Sequence, residues 1–380
     1  MQCSHFDAGE CRSCTLMGVP YGQQVADLDV EVRRLLSTSV PAEVWDSPFV
    51  GPESGFRNKA KLAVGGTKGE PTFGILDAAM RGVDLRDCGL YEPVLAAALP
   101  PLVGAVAALG LVPYDVRARS GELKHLIVTS SPDGELMLRF VLRSPGQLPR
   151  ITGGLDDLRA AVPGLRVVSV NLQPEHKAVL EGEEEILLTP AETLPMRLDD
   201  ITFHLRPRSF FQTNTTVAAG LYRQVGEWIA EIDPASVLDL YCGVGGFALT
   251  AATTQGARTR RVDGVEVAPD AVASARRSAA ELGVEARFEV GDARVLEAPD
   301  HELVVVNPPR RGIGSALCAA LEVSSPAHVI YSSCNATSLA RDLAALPGYR
   351  VVRARLFDMF PQTRHHEVAV LLRRRRAAGS

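Results

Sequence analysis

Val237-Leu-Asp-Leu-Tyr-Cys-Gly-Val-Gly-Gly-Phe247 is the stretch from which the architecture is read. A short apolar run ends at an acid, Asp239, and then gives way to a turn dense in glycine. The pattern predicts a buried strand over 236–240 and a helix over 246–253, with Gly243, Gly245 and Gly246 bringing the backbone up to a small molecule. A second run, Val262-Asp-Gly-Val-Glu-Val267, puts Glu266 at the next strand tip, where a carboxylate accepts hydrogen bonds from ribose hydroxyls. The two acids frame a nucleoside pocket.

Gly243, Gly245 and Ala248 also satisfy a dinucleotide spacing, so the turn alone admits two cofactors. S-adenosylmethionine is favoured over NAD because Asp239 precedes the glycines, where it can meet the methionine ammonium, and no pyrophosphate has to be housed. Outward from the turn, helices and strands alternate. Helices are predicted over 213–231, 269–282, 315–323 and 337–345, and strands over 262–267, 286–290, 303–306 and 327–331. That alternation is the pattern of a parallel, doubly wound sheet. Asp292, past the 286–290 strand, is placed to bond an adenine amino group.

Before Arg206 the grammar differs. A helix over 22–37 is followed by strands over 57–64 and 71–76, a helix over 91–111, and a hairpin of strands over 123–130 and 136–142. A helix over 155–161 and strands over 166–172, 185–188 and 201–205 complete a mixed α+β region. Two domains are therefore expected, 1–205 and 206–380.

The chain has 380 residues, 46% of them apolar and 22% charged, which are ordinary values for a folded protein. No run is long enough to span a membrane and no export signal opens the chain, so a cytoplasmic protein is expected. The net charge of −5 argues against a protein that coats nucleic acid. Local basic islands, among them Arg57-Asn-Lys-Ala-Lys61, Arg139 with Arg143, and Arg310-Arg311, could converge on one face. The run Arg373 to Arg376 reads as a charged tail. Cys3, Cys11 and Cys14, with Cys88 from a separate loop, offer four sulfurs that suit zinc or a [4Fe-4S] cluster, and His5 allows a mixed zinc site.

The later strand tips carry the chemistry. Asn307-Pro-Pro-Arg-Arg-Gly312 fixes the direction of an amide that holds a donor and an acceptor. Amino-group methyltransferases carry a similar Asn-Pro-Pro, but with an aromatic residue where Arg310 stands. Tyr331-Ser-Ser-Cys-Asn335 brings Cys334 beside the cofactor. A thiolate that adds to C6 of a pyrimidine makes C5 nucleophilic enough to take a methyl group. The C5 proton must then leave, and Glu367 is the expected base, with His365 or His366 as the alternative. Gln212, in Arg208-Ser-Phe-Phe-Gln-Thr-Asn214, can reach cofactor or base, and at least one of Phe210 and Phe211 is expected to pack in the core.

Taken together, these motifs resemble the RNA uracil-C5-methyltransferase family, and within it the branch acting on a uracil of 23S rRNA. The resemblance runs over essentially the whole chain, including Gly55-Phe-Arg-Asn-Lys-Ala-Lys61 and Leu356-Phe-Asp-Met-Phe-Pro361. It implies a Rossmann-like class I methyltransferase sheet after an α+β domain bearing an iron-sulfur motif. It implies a [4Fe-4S] cluster on Cys3, Cys11, Cys14 and Cys88, and S-adenosylmethionine held by Gln212, Tyr241, Glu266 and Asn307. Cys334 is then the nucleophile, Glu367 the base, and 23S rRNA the partner, with no DNA. Tyr241 departs from the phenylalanine that relatives often have. The remaining readings are a different rRNA or tRNA uracil, an amino-group methyltransferase, or a non-catalytic iron-sulfur protein that binds RNA.

Overall fold

The computed structural model describes residues 1–177, 179–295 and 300–375. It divides the chain into two compact units, one formed by residues 1–18 and 53–197 and the other by residues 19–52 and 198 onward. The expected single cut near Arg206 is thus corrected. The segment 19–52 belongs with the second unit, because Leu28, Val32 and Leu36 of helix Tyr21–Leu36 recur every four residues and enter that unit's core.

The first unit is a seven-stranded sheet in the order Gly82–Asp84, Pro71–Leu76, Lys59–Gly66, Leu123–Ser130, Leu136–Leu142, Leu165–Leu172, Glu184–Leu187. All pairs are antiparallel except Leu136–Leu142 with Leu165–Leu172, whose connection is long enough for a helical crossover. Alternation along the strands puts Leu62, Val64, Leu126, Val128, Leu138 and Phe140 on one face, against Leu95, Leu99 and Val106 of helix Pro93–Leu109. The strand Gly82–Asp84 is too short to carry a periodicity, and it was not foreseen. Arg139, expected on a basic face, is 1% exposed and held by Glu185 at 2.6 Å and Glu181 at 2.8 Å.

In the same unit Cys14, Phe56 and Leu90 form a small core, with Met1, Met17 and Cys88 against it. Burial and the neighbouring thiols of Cys88, Cys11 and Cys3 push the Cys14 thiol up to about 11. Cys88, Cys11 and Cys3 are thus the sulfurs nearest to that of Cys14 in electrostatic terms. Among the described residues, however, no three His, Cys, Asp or Glu side chains are gathered as ligands for a metal ion. The iron-sulfur motif is accordingly not part of the fold that the structure shows.

The second unit is a seven-stranded sheet in the order Ala286–Val290, Arg261–Glu266, Ser236–Leu240, Leu303–Val306, His328–Ser333, Glu367–Arg374, Tyr349–Phe357. The first five strands are parallel, but the last two join antiparallel, so the expected all-parallel sheet is a mixed one. Trp45 and Phe49 run beside Ala354 and Phe357 and cover the outer edge of Tyr349–Phe357. Arg373 and Arg374 are not tail residues. They finish the last strand, and Arg374 pairs with Glu322 at 2.6 Å. Arg376 lies outside the described residues. Among the described residues, no helix is long and apolar enough to cross a membrane.

Candidate active site

Chain order reverses between strands Ser236–Leu240 and Leu303–Val306, and in an open sheet a crevice forms outside the strand ends at such a point. The register pairs Leu240 with Val306, so Tyr241 and Asn307 leave the sheet side by side, and the Asn307 amide nitrogen donates to the Leu240 carbonyl at 3.4 Å. A cavity of about 970 Å³ opens there, within the size range of small-molecule sites, and it is walled entirely by residues of the second unit.

The glycine turn is built differently from its sequence reading. Tyr241 has φ of 62° and Gly243 of 54°, so two left-handed residues swing the chain away from the strand. A Cβ on Gly243 would meet nothing within 4 Å, so this glycine faces open space at the cavity wall. Gly246 is required by packing instead, since a Cβ there would come within 2.5 Å of the Tyr222 hydroxyl.

Glu266 is held by the backbone, its Oε2 accepting from the Gly243 amide at 3.1 Å and its Oε1 from the Ala268 amide at 3.0 Å. A carboxylate has lone pairs left over for two hydroxyls after such contacts. Asp239 is fully buried and does not line the cavity, which corrects the expectation that it meets the ligand directly. Its Oδ2 accepts from the Ala248 amide at 2.9 Å, and its Oδ1 has no hydrogen-bond partner. Burial pushes this carboxyl up to about 8. Asp292 does line the cavity, gripped by the Arg294 guanidinium, which holds the carboxyl down at about 2.

On the opposite side, the antiparallel pairs Ser332 with Ala369 and Ser333 with Val368 bring Cys334 to the level of Glu367. Both residues line the cavity, as do Gln212, Tyr241, Gly243, Glu266, Asp292 and Asn307. Glu367 is 2% exposed, its Oε1 accepts from the Ser332 hydroxyl at 2.5 Å, and burial pushes it up to about 7. Burial and the nearby Glu367 carboxylate raise the Cys334 thiol, while the Arg310 guanidinium acts against them. Arg310 also lies 3.3 Å from His365 Nδ1.

Phe211 packs on Phe203 in the core, whereas Phe210 is 73% exposed at the cavity. Arg294 and Tyr222 are among the lining residues that escaped sequence reasoning. Arg294 stands two residues beyond Asp292, a signal that was available. Tyr222 comes from helix Thr215–Ile232, and nothing local in its sequence marks it.

The family described as tRNA (Uracil-5-)-methyltransferase matches residues 286–375, and a general methyltransferase domain matches 237–307. The chain is 45% identical to the 23S rRNA (uracil(747)-C(5))-methyltransferase RlmC of Salmonella newport, over 98% of this chain and 100% of that one. Against RlmC of Salmonella typhimurium the identity is 46%, with the same coverage. Among solved structures, the tRNA (uracil-54, C5)-methyltransferase of Pyrococcus abyssi, in complex with S-adenosyl-L-homocysteine, superimposes with a TM-score of 0.80. The match is at 26% identity and covers 94% of this chain and 85% of that one.

Proposed function

Since this chain belongs to the RlmC family of 23S rRNA uracil-C5-methyltransferases, we propose that it methylates C5 of uracil 747 in 23S rRNA, using S-adenosylmethionine. The observation that carries the mechanism is the meeting of Cys334 and Glu367 at one wall of the nucleoside cavity. Cytoplasm, where rRNA is modified, is the compartment that goes with this reading.

The sulfur of Cys334, as thiolate, adds to C6 of the uracil and makes C5 an enolate-like carbon. When bound, S-adenosylmethionine supplies an electrophilic methyl group for that carbon. Glu367 then takes the C5 proton, the electron pair of the C5–H bond re-forms the C5–C6 double bond, and the Cys334 sulfur leaves as thiolate. A carboxyl near pH 7 suits a base that must hold a proton and give it up again.

The residues present fit the methyl donor. Gly243 leaves open space, Glu266 keeps lone pairs for a ribose, and the wall between them also carries Gln212, Tyr241, Asp292 and Asn307. Asp239 lies behind the turn and acts on the ligand through the helix that it caps, Gly246–Thr253. Release of tritium from RNA carrying [5-3H]uridine tests the proposal. Wild-type protein is expected to release it in step with methyl transfer, and Cys334→Ala to release none. Undiminished turnover by that variant would rule the mechanism out.

For the first unit we propose a [4Fe-4S] cluster on Cys3, Cys11, Cys14 and Cys88. The reading is supported by Cys14 and Cys88, whose raised thiols each sense Cys3 and Cys11 beside an apolar core. Nothing in the methyl transfer calls on it. Anaerobic purification is expected to give protein with iron and acid-labile sulfide in equal amounts, and zinc without iron would contradict the assignment.

A further inference from the structure

Asn335 sits between the two strand tips that carry the chemistry and spends both ends of its amide there. Its Oδ1 accepts from the Thr337 amide at 3.0 Å and the Ser338 amide at 3.4 Å, which caps helix Ala336–Ala344. Its Nδ2 donates to the Arg310 carbonyl at 3.0 Å. The same helix holds the rest of the 307–314 loop. Arg341 donates to the Arg311 carbonyl, and Asp342 Oδ2 accepts from the Ile313 amide at 2.8 Å and from the Tyr331 hydroxyl at 2.8 Å. The backbone of Arg310 is therefore fixed relative to the residue that follows Cys334, and its side chain lines the same cavity as Cys334, with the guanidinium 3.3 Å from His365 Nδ1 and acting against the rise of the Cys334 thiol.

We infer that Asn335 is a positioning residue for the methyl transfer, a bracket that caps one helix and grips the Arg310 carbonyl so that the Arg310 guanidinium faces the Cys334 sulfur. An amide is suited to this because it carries an acceptor and a donor on one planar group. Serine and aspartate cap a helix as well, but they lack the second arm. The inference rests on the reading of Cys334 as the nucleophile.

Asn335→Ser separates bracket from cap. Serine keeps the capping oxygen and adds no charge, so the melting temperature is expected to stay within about 2 °C of wild type. The alkylation of Cys334 by iodoacetamide, followed by peptide mass spectrometry as a function of pH, is expected to move to higher pH. Turnover is expected to fall by about 10-fold or more, as small misplacements at a reacting centre do, with KM for RNA changed by less than about 2-fold. Combining Asn335→Ser with Arg310→Ala is expected to move the alkylation profile no further than Arg310→Ala alone. An unmoved alkylation profile in Asn335→Ser, or a lower melting temperature with turnover intact, would overturn the bracket. A shifted profile with full turnover would show that the bracket does not serve the methyl transfer and would overturn the positioning role, while tritium release by Cys334→Ala separately reads whether Cys334 is the nucleophile.

Discussion

Glu367 is a carboxyl whose surroundings have moved it into the range where it works. Burial raises it to about 7, and only the Ser332 hydroxyl offsets that cost. Breakdown of the methylated adduct should therefore climb as pH rises through about 7, whereas an unshifted carboxylate, near 4.3, would leave that step flat there. Glu367→Gln is expected to lower turnover by about 10² to 10⁴-fold, with an RNA-protein adduct accumulating on denaturing gels because the C5 proton is no longer removed. Stability runs the opposite way. A raised carboxyl contributes fully below its ordinary value and loses that contribution as pH rises through the folded value. Chemical denaturation at pH 5 and at pH 8.5 should thus show a smaller alkaline loss for Glu367→Gln than for wild type. A charged residue opening an apolar strand was legible as a functional signal. Its partner Ser332 was not, because only the antiparallel register brings the two together.

At the level of elements, the glycine turn distinguishes two kinds of glycine that look alike in sequence. Gly246→Ala drives a methyl group into Tyr222 and should cost about 1 to 3 kcal/mol, as overpacking does. Gly243→Ala meets no atom but keeps φ at 54°, and should cost about 1 to 2 kcal/mol from backbone strain. Thermal melts check both values, and calorimetric titration should show the larger loss of S-adenosylmethionine affinity in Gly243→Ala. Strands Ser236–Leu240 and Leu303–Val306 were readable to the residue because their apolar runs are bounded by turn residues. The edge strand Tyr349–Phe357 was not, since Arg350, Arg353 and Arg355 interrupt its pattern and a bulge shifts its register between Val351 and Arg353. Arg139 misled in the opposite direction. Its two carboxylate partners lie far along the chain, and no local pattern announces that a strand arginine will be buried against them.

For the molecule as a whole, the catalytic unit is discontinuous in sequence. Leu28, Val32, Leu36 and Val40 share a core with Leu339, Leu343 and Tyr349. Burial of such side chains stabilises by about 1.5 to 3 kcal/mol each, so four of them are comparable with the whole stability of a domain, about 5 to 15 kcal/mol. A fragment of residues 198–380 is therefore expected to lack a cooperative melt, and fusion of residues 19–52 to restore one. A clean melt of the shorter fragment would refute the division. The sequence showed the change of grammar near Arg206 but not the return of an earlier helix, because amphipathic spacing says that a face is buried and not against what. The central claim, that the Cys334 sulfur bonds to the target uracil, is tested most directly with RNA carrying 5-fluorouridine at the target position. Fluorine at C5 cannot leave as a proton, so the methylated adduct should persist, and peptide mass spectrometry should find the RNA nucleotide on Cys334 only when S-adenosylmethionine is present. Free RNA after full incubation, or a nucleotide attached to any other residue, would contradict the account.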